Sequence, residues 1–489
     1  LSFEKNFKHM KKTALTYLLL GGILMSSGCD LVDPTEVTNP NLTEEAILNT
    51  NNPMTPWVAG VKRQLALTVN AHVTFLEIGS DNYENVQTFY NQNLDNLTIR
   101  PQDADINGFQ FQLGRLREMA DYGLTVVKNA DPLTTAEQEA ELNFYKAYSY
   151  LLSGEYFSFL PVTAGGEAVE WRSILGMAVE TFRLAESSSN TQISAAASLG
   201  IARANYRLGN KAEAVQAANS AISKAPNLVY YAQFDQAQGP VNTMQTALYD
   251  RGNFDDLQVL PRMDFLDPKY YFRGASQASP VAIFKIEEAH LILAEAAISD
   301  NNLNSAKSVM TDIVNLVGGR ERSTFNNNQQ DRTQLNPGSR PNNSDVQVRF
   351  SPGAPLIEGL VLDRKSGNVT VPTISGTSVS VADVDALNDL DDALETLYLM
   401  RQEIFIAEGR RLADMGIKLV ISEVEYLANP NIDAGSPGTS PVIPPFIDSI
   451  KDELDAFDYD AAAGICTIRH NINRILVENK TSELVLPFH

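Results

Sequence analysis

The sequence predicts a mainly α-helical fold: a tetratricopeptide-like helical-repeat scaffold with long loop and short-strand insertions. Three observations predict it. Apolar residues recur at helical spacing through residues 40–318 and again through 389–428. Small residues recur where the two helices of such a repeat approach each other closely. Two intervening stretches, 227–280 and 319–388, are instead rich in aromatic, turn and strand-forming residues.

The composition is that of a folded protein and limits its partners. The 489 residues include 38 Lys and Arg against 60 Asp and Glu, a formal net charge of −22, and 44% are hydrophobic. Because phosphate backbones require a basic surface, the acidic balance argues against nucleic acid as a partner. Two cysteines are too few for a disulfide framework or a Cys-rich zinc site.

The first 28 residues have the order of a secretory signal peptide. Four lysines precede a short apolar run at 13–25, and small residues then lead to Cys29. Because Gly28-Cys29 resembles a bacterial lipobox, we expect residues 1–28 to be a lipoprotein signal peptide and Cys29 to be lipidated. An ordinary cysteine after a simple cleavage site is the alternative. We expect residues 29–489 to form a single domain.

Helices are predicted in order by periodicity, and several form pairs. Residues 198–226 carry the most specific repeat signal, with Ala202, Gly209, Ala214, Ala221 and Pro226 at the small-residue and proline positions. The predicted helices are 137–160 (stopping at Pro161), 171–188, 192–208, 211–224, 282–299, 303–317 and 389–420.

The insertions carry turn and strand signals. Residues 319–388 begin as a polar run and continue as short alternating segments, and the turn residues around Lys365 predict a hairpin there. Residues 429–445 form a loop rich in Pro, Gly and Ser. Loops on a rigid scaffold often carry binding sites, so these segments are candidates for ligand contact.

Three segments, 140–161, 280–297 and 400–416, resemble the SusD/RagB family of outer-membrane nutrient-binding lipoproteins. The matching positions are Glu288, Ala289, Leu291, Ala294, Glu295 and Ala296 in the second segment, and Glu403, Glu408, Gly409, Arg411, Asp414 and Met415 in the third. With the lipobox and the repeat order, the resemblance covers nearly the whole chain and implies a SusD-like fold. The chain end, LVLPFH, departs from the family pattern.

The charged residues of these segments are interpreted as structural. Glu408 with Arg411, and Arg410 with Asp414, have the spacing at which side chains pair along one helix. Glu288 and Glu295 are expected to be caps or ion-pair partners, since their spacing places them on one helix face. Gly409 would allow close packing between helices.

No residues are predicted to be catalytic or to bind a metal, and no cofactor is expected. The sequence lacks an H-E-x-x-H, a G-x-S-x-G, a P-loop and a G-x-G-x-x-G motif. The acidic run at 383–392 lacks the glycine and closing glutamate of a calcium loop, so it is read as a solvated helix start. Cys466 is expected to be a buried, unpaired thiol. The chain is therefore predicted not to be an enzyme.

Aromatic residues beside polar ones are the candidate ligand contacts, because sugar rings stack on flat side chains while their hydroxyls need polar partners. The resemblance supports this choice, since ligands of the family bind on the side built from insertions. Each tyrosine could instead be a packing residue with one wet end. The candidates are Tyr83, Tyr90, Asn91, Tyr230, Tyr231, Tyr270, Tyr271 and Arg273.

The resemblance implies capture rather than catalysis. It predicts a lipid-anchored, surface-exposed protein of the outer membrane that binds oligosaccharides or peptides. It would act as a lid that delivers them to a TonB-dependent, SusC-like β-barrel transporter. The alternative is a tetratricopeptide-type scaffold lipoprotein for outer-membrane assembly, and a surface hydrolase is a third interpretation.

Overall fold

The computed structural model describes residues 48–86, 91–249, 257–270, 277–326, 338–363 and 367–489. The chain divides into two units, Leu1–Pro53 and Met54–His489, and the elements below all belong to the second. Cys29 lies outside the described residues, so its lipidation stays a prediction.

Helices make up most of the second unit. A π-helical turn, Gly123–Val127, and a 3-10 segment, Pro261–Tyr270, interrupt the regular elements. The described α-helices are α1 Met54–Ile78, α2 Gln92–Asp95, α3 Ala104–Tyr122, α4 Lys128–Ala130, α5 Ala136–Tyr156, α6 Trp171–Glu186, α7 Thr191–Arg207, α8 Lys211–Lys224, α9 Thr243–Tyr249, α10 Glu287–Ser299, α11 Leu303–Gly318, α12 Val381–Ala386, α13 Leu390–Ile404, α14 Arg411–Asp414, α15 Glu423–Ala428, α16 Pro445–Asp448 and α17 Ile472–Glu478.

The strands are short and form small sheets. Four described sheets are two-stranded, pairing β1 with β5, β2 with β3, β4 with β6 and β7 with β9, and one has the order β10-β11-β8. The strands are β1 Tyr83–Asn85, β2 Phe159–Pro161, β3 Ala168–Glu170, β4 Val229–Ala232, β5 Leu257–Val259, β6 Val281–Lys285, β7 Arg322–Asn326, β8 Gln347–Arg349, β9 Asn368–Pro372, β10 Phe457–Asp460 and β11 Ile465–Ile468.

The long helices form one continuous array. Each of α1, α3, α5, α6, α7, α8, α10 and α11 packs against the next in that order. Small residues allow the close approach: Ala202, Ala214 and Ala221 are fully buried between α7 and α8 and their neighbours. The helix α13 then packs on α10, and α17 packs on α13. The predicted mainly α fold with a tetratricopeptide-like scaffold and short-strand insertions is confirmed.

Two predicted helices are shorter at one end because a strand takes their terminal residues. The helix predicted at 137–160 ends at Tyr156, and Phe157 adopts an extended backbone. Residues Phe159–Pro161 then pair as β2 with β3. Likewise, the first residues of the helix predicted at 282–299 form β6, which pairs with β4. Their β-branched and aromatic side chains favour a strand once a partner is available.

The predicted helix 389–420 is interrupted at its centre. The helix α13 ends at Ile404, and the short α14 begins only at Arg411. Between them Ala407 and Gly409 have φ values of 60° and 66°, which no helix accommodates. A Cβ on Gly409 would lie 3.1 Å from the Cα of Val73 on α1, so this turn is pressed against the first helix.

The hairpin predicted around Lys365 is wrong. The strand after that turn, β9, pairs antiparallel with β7, with Asn368 opposite Asn326 and Pro372 opposite Arg322. Residues 364–366 lie outside the described part of the chain. The alternating pattern therefore identified a strand, but its partner comes from the other end of the insertion rather than from the adjacent segment.

Candidate functional site

A groove of about 540 Å³ opens on one side of the helical array. Its walls are the outer face of α3, the loop that follows β2, and α15. The lining residues are Asn107, Gln110, Phe111, Gly114, Arg115, Arg117, Glu118, Leu160, Pro161, Thr163, Ala164, Gly165, Ser422, Val424, Glu425, Ala428 and Asn429. A volume of this size lies within the usual range for small-molecule sites.

The helix α3 supplies the first wall through its periodicity. Its apolar residues Ile106, Phe109 and Leu113 are fully buried against the array. Asn107, Phe111 and Gly114 follow the same three- and four-residue spacing on another stripe, so they face the groove together. Asp103 caps this helix by accepting a hydrogen bond from the backbone N–H of Asp105.

Side-chain amides join the opposite wall to α3. Gln110 accepts a hydrogen bond from the backbone N–H of Ser422 at 2.9 Å and donates to Glu425 at 3.0 Å. Asn429 donates to Glu425 at 3.0 Å and to the carbonyl of Gly166 at 2.8 Å, which ties α15 to the loop after β2. The groove is therefore held open by hydrogen bonds between segments that are far apart in the sequence.

The groove combines exposed apolar surface with polar groups. Phe111 is 57% exposed and Val424 is 59% exposed, although both are large hydrophobic residues. Asn107 and Arg115 lie on the same wall as Phe111. An exposed flat ring flanked by amide and guanidinium groups is the combination that a sugar ring requires, because its apolar faces stack while its hydroxyls form hydrogen bonds.

One of the residues that line the groove is a buried arginine. Arg117 is only 6% exposed, and its guanidinium donates to the Ser149 hydroxyl at 3.3 Å and to the Pro161 carbonyl at 3.5 Å. Its Nε has no hydrogen-bond partner in the described part of the chain. Burial lowers the pKa of Arg117, and the fields of Tyr150, Glu118 and Glu425 oppose that effect only in part.

The sequence-predicted site residues are dispersed. Tyr83 and Tyr270 are 1% and 2% exposed, and the Tyr270 hydroxyl donates to the Ala407 carbonyl, so both rings are packed in the interior. Tyr230 and Tyr231 are half-buried on β4, and the ring of Tyr230 lies 4.8 Å from that of Phe144. These tyrosines do not line the groove. Their role in binding stays a prediction.

Asn91 contacts the start of α3, the helix that forms one wall of the groove. Its side-chain amide donates to Asp103 at 3.0 Å and to Asp105 at 2.6 Å, at the start of α3. It also caps α2 by accepting from the backbone N–H of Leu94. The remaining candidates, Tyr90, Tyr271 and Arg273, lie outside the described residues.

The sequence reasoning missed Phe111 and Arg117 because it searched the insertions rather than the helices. A signal was present. In the stretch 104–122, the apolar residues that repeat at helical spacing account for one buried face, and Phe111 falls on the opposite, polar face. Its place on the polar face of α3 is the signal from which Phe111 could have been chosen as a candidate contact residue.

The charged motif residues are buried in ion pairs, but not in the predicted ones. Glu408 pairs with Lys269 and Lys285 rather than with Arg411. Arg410 pairs with Glu288, and Asp414 with Arg401 and Arg207, rather than with each other. The broken helix removes the i,i+3 and i,i+4 geometry, so each charge meets a partner from another segment. The interpretation of these residues as structural agrees with this arrangement.

Among the described residues, no group of three or more His, Cys, Asp or Glu side chains could hold a metal ion. None of the described helices is long and apolar enough to cross a membrane. Cys466 is a buried thiol, as the sequence predicts, and has no disulfide partner within the described part of the chain.

The architecture is shared with solved structures of one class, the SusD superfamily. A SusD superfamily protein from Bacteroides fragilis matches 79% of this chain and 100% of its own, with a TM-score of 0.54 and 14% identity. A SusD superfamily protein from Parabacteroides distasonis matches 78% of this chain and 98% of its own, with a TM-score of 0.52 and 10% identity. A candidate sugar-binding protein from Bacteroides vulgatus matches 78% of this chain and 98% of its own, with a TM-score of 0.51 and 10% identity.

The chain therefore has the SusD fold, and the resemblance drawn from its three sequence segments is confirmed at the level of fold. No protein-family model and no curated protein matches it.

Proposed function

We propose that the protein captures oligosaccharides in the groove between α3 and α15 and delivers them to a TonB-dependent outer-membrane transporter. The observation that carries the capture step is the exposed ring of Phe111, 57% accessible, among the amide and guanidinium groups of the groove wall. The SusD fold and the sugar-binding description of the B. vulgatus neighbour support an oligosaccharide as the ligand.

The capture step is tested by screening the purified full chain against an array of oligosaccharides, with a peptide library in parallel. Calorimetry then compares the wild type with Phe111→Ala. We expect roughly tenfold weaker binding for the variant, because a stacked ring contributes on the order of 1 kcal/mol beyond its buried area. Leu184→Ala is the matched control, since Leu184 is 60% exposed on α6, away from the groove.

The two outcomes of this screen separate the ligand classes. Phe111-dependent binding of an oligosaccharide supports the proposal. Binding of peptides alone, or of oligosaccharides with equal affinity to both variants, contradicts it.

The delivery step rests on the sequence. Lipidation of Cys29 would anchor the chain to the outer membrane at the cell surface, since several acyl chains hold a protein stably where one does not. A partner barrel would use a broad face of the repeat helices, as stable interfaces of this kind are large. This chain carries no nucleotide-binding motif, so the energy for import would come from the transporter's own partners.

Gentle detergent extraction, affinity purification and mass spectrometry test the delivery step. We expect a large TonB-dependent barrel to co-purify in about equal amount. Recovery of outer-membrane assembly factors instead would favour the scaffold alternative. A Cys29→Ser variant should fail to fractionate with the membrane if Cys29 carries the anchor.

A further inference from the structure

Arg117 differs from the other buried arginines of the described residues in having no carboxylate partner. The others each form an ion pair: Arg203 with Glu155, Arg262 and Arg411 with Asp81, Arg340 with Glu84, Arg401 with Asp414, and Arg410 with Glu288. A buried cation without an opposite charge is costly, and the other sites avoid that cost. Carboxylates outnumber cationic side chains in this chain, so Arg117 does not lack a partner for want of acidic residues.

The position of Arg117 explains why it has no carboxylate partner. Its guanidinium lies between α3, α5 and the end of β2, where it donates only to the neutral oxygens of Ser149 and Pro161. The Nε is left without an acceptor, and the residue lines the groove. The unsatisfied Nε is itself buried, as it is in Arg262 and Arg410. What distinguishes Arg117 is a guanidinium that lines the groove and donates only to neutral oxygens, so it can still pair with an acidic group of a ligand.

The nearby carboxylates do not fill this role. Glu425 already accepts hydrogen bonds from Gln110 and Asn429 through its two oxygens. Glu118 is exposed and acts on Arg117 only through space. Neither carboxylate forms an ion pair with Arg117, so a charged acceptor for this guanidinium would have to come from a bound molecule.

We propose that the groove selects oligosaccharides that carry a carboxylate, such as chains of uronic acid residues, and that Arg117 pairs with that carboxylate. This inference rests on the proposed glycan-binding function and specifies its substrate class. A planar guanidinium matches a carboxylate through parallel hydrogen bonds, which a point charge such as lysine does not. Phe111 then stacks on a sugar ring, while Arg117 recognises its acidic substituent.

The test uses two forms of one ligand. Oligogalacturonates and their methyl esters share a backbone and differ only in whether the carboxylate is free, and oligoglucuronates with their esters extend the comparison to a second sugar. We expect the wild-type full chain to bind at least one acid about tenfold or more tightly than its ester. A charge-assisted hydrogen bond is of that order.

Variants assign the preference to Arg117. Arg117→Gln should bind acid and ester equally, and Arg117→Lys should recover only part of the preference. Arg183→Gln removes an arginine from the exposed surface of α6 and should retain the full preference. The melting temperature of each variant shows whether it is folded, and the acid-to-ester ratio of the wild type needs no variant at all.

The outcomes distinguish this inference from the proposed function. If neutral oligosaccharides bind in a Phe111-dependent way but acids and esters bind equally, the carboxylate inference fails and glycan capture stands. If a sulfated oligosaccharide that contains no uronic acid binds more tightly than every uronate, the assignment to a carboxylate is also overturned. If no oligosaccharide depends on Phe111, both fail. The inference is supported if Arg117→Gln loses the preference for the acid while Arg183→Gln retains it.

Discussion

Glu288 and Glu295 lie seven residues apart on α10, yet their carboxyl groups have opposite environments. Burial alone would raise the pKa of Glu288, but the charges of Arg410 and Arg203 overcome it and lower the pKa. Glu295 accepts only from the hydroxyls of Tyr206 and Tyr398, so burial prevails and raises its pKa from 4.5 to about 7. One buried carboxylate is therefore stabilised in its charged form and the other in its neutral form.

The pH dependence of stability should separate the two residues. Because the folded-state pKa of Glu295 is raised, its contribution to stability is present below pH 4.5 and is lost as the pH rises through about 7. Glu295→Gln keeps an oxygen for both tyrosines and cannot ionise. Its free energy of unfolding, relative to the wild type, should therefore increase from about pH 4.5 to about pH 7 in urea titrations and level off above that.

Glu288→Gln is the matched control on the same helix. It leaves Arg410 buried without its carboxylate partner, so we expect a loss of about 3–5 kcal/mol throughout that pH range. A flat pH profile for the Glu295 variant, or a gain in stability for the Glu288 variant, would contradict the opposite environments described here.

The partners of individual charged side chains were the features least predictable from the sequence. The sequence indicated that Glu288, Glu408 and Asp414 are structural, but for Glu408 and Asp414 it assigned partners within the same helix. The actual partners come from segments as distant as Lys269 for Glu408 and Arg207 for Asp414. Burial drives these pairings, because an interior charge must take whichever opposite charge the fold brings near it. Sequence spacing carries no information about such long-range partners.

At the scale of the elements, two glycines show how the repeat helices approach each other. A Cβ on Gly154 of α5 would lie 2.7 Å from the Cγ of Leu175 on α6 and 3.0 Å from the Trp171 carbonyl. A Cβ on Gly176, also on α6, would meet nothing within 4 Å. The same residue type therefore serves close packing at one position and has no such role at the other.

Alanine substitutions should have opposite effects at these two positions. Gly176→Ala should stabilise the protein by up to about 1 kcal/mol, which is the helix-propensity difference between the residues. Gly154→Ala gains the same propensity but forces α5 and α6 apart, so we expect a net loss of about 1–3 kcal/mol. Chemical denaturation measures both values. Equal effects would contradict close contact at Gly154.

The sequence predicted the long helices of the array well, because their apolar spacing and caps are local features. Helices α7, α8 and α11 were predicted to within one residue at each end. The prediction was wrong where a distant strand completes an element, as for β6 with β4, and where Ala407 and Gly409 interrupt a helical pattern. The groove escaped prediction for the same reason, since its walls come from three separate parts of the chain.

At the scale of the whole molecule, the net charge of −22 resides mainly on the surface, because many buried charges are paired. Mutual repulsion of surface carboxylates opposes the folded state, and dissolved salt screens it. Raising NaCl from about 10 mM to about 1 M shortens the screening length from about 30 Å to about 3 Å.

We therefore expect the melting temperature to rise by several degrees over this salt range. Calorimetry at neutral pH measures the change. Glu288→Gln should show the same gain, because the ion pair it removes is buried and little screened. A melting temperature that does not increase with salt would show that surface repulsion is not a significant term.

The reactivity of the Cys466 thiol can be used to measure how often the fold opens. The thiol lies on β11, the central strand of its sheet, among Val346, Val348 and Ile468, and burial raises its pKa to about 12. Alkylating reagents react with the thiolate form of cysteine. The folded sheet therefore protects this sulfur in two ways: it keeps the reagent out, and it keeps the thiol protonated. In a chain whose Cys29 is lipidated or replaced, the rate of alkylation would report how often Cys466 becomes exposed, through opening of this sheet or of the whole fold.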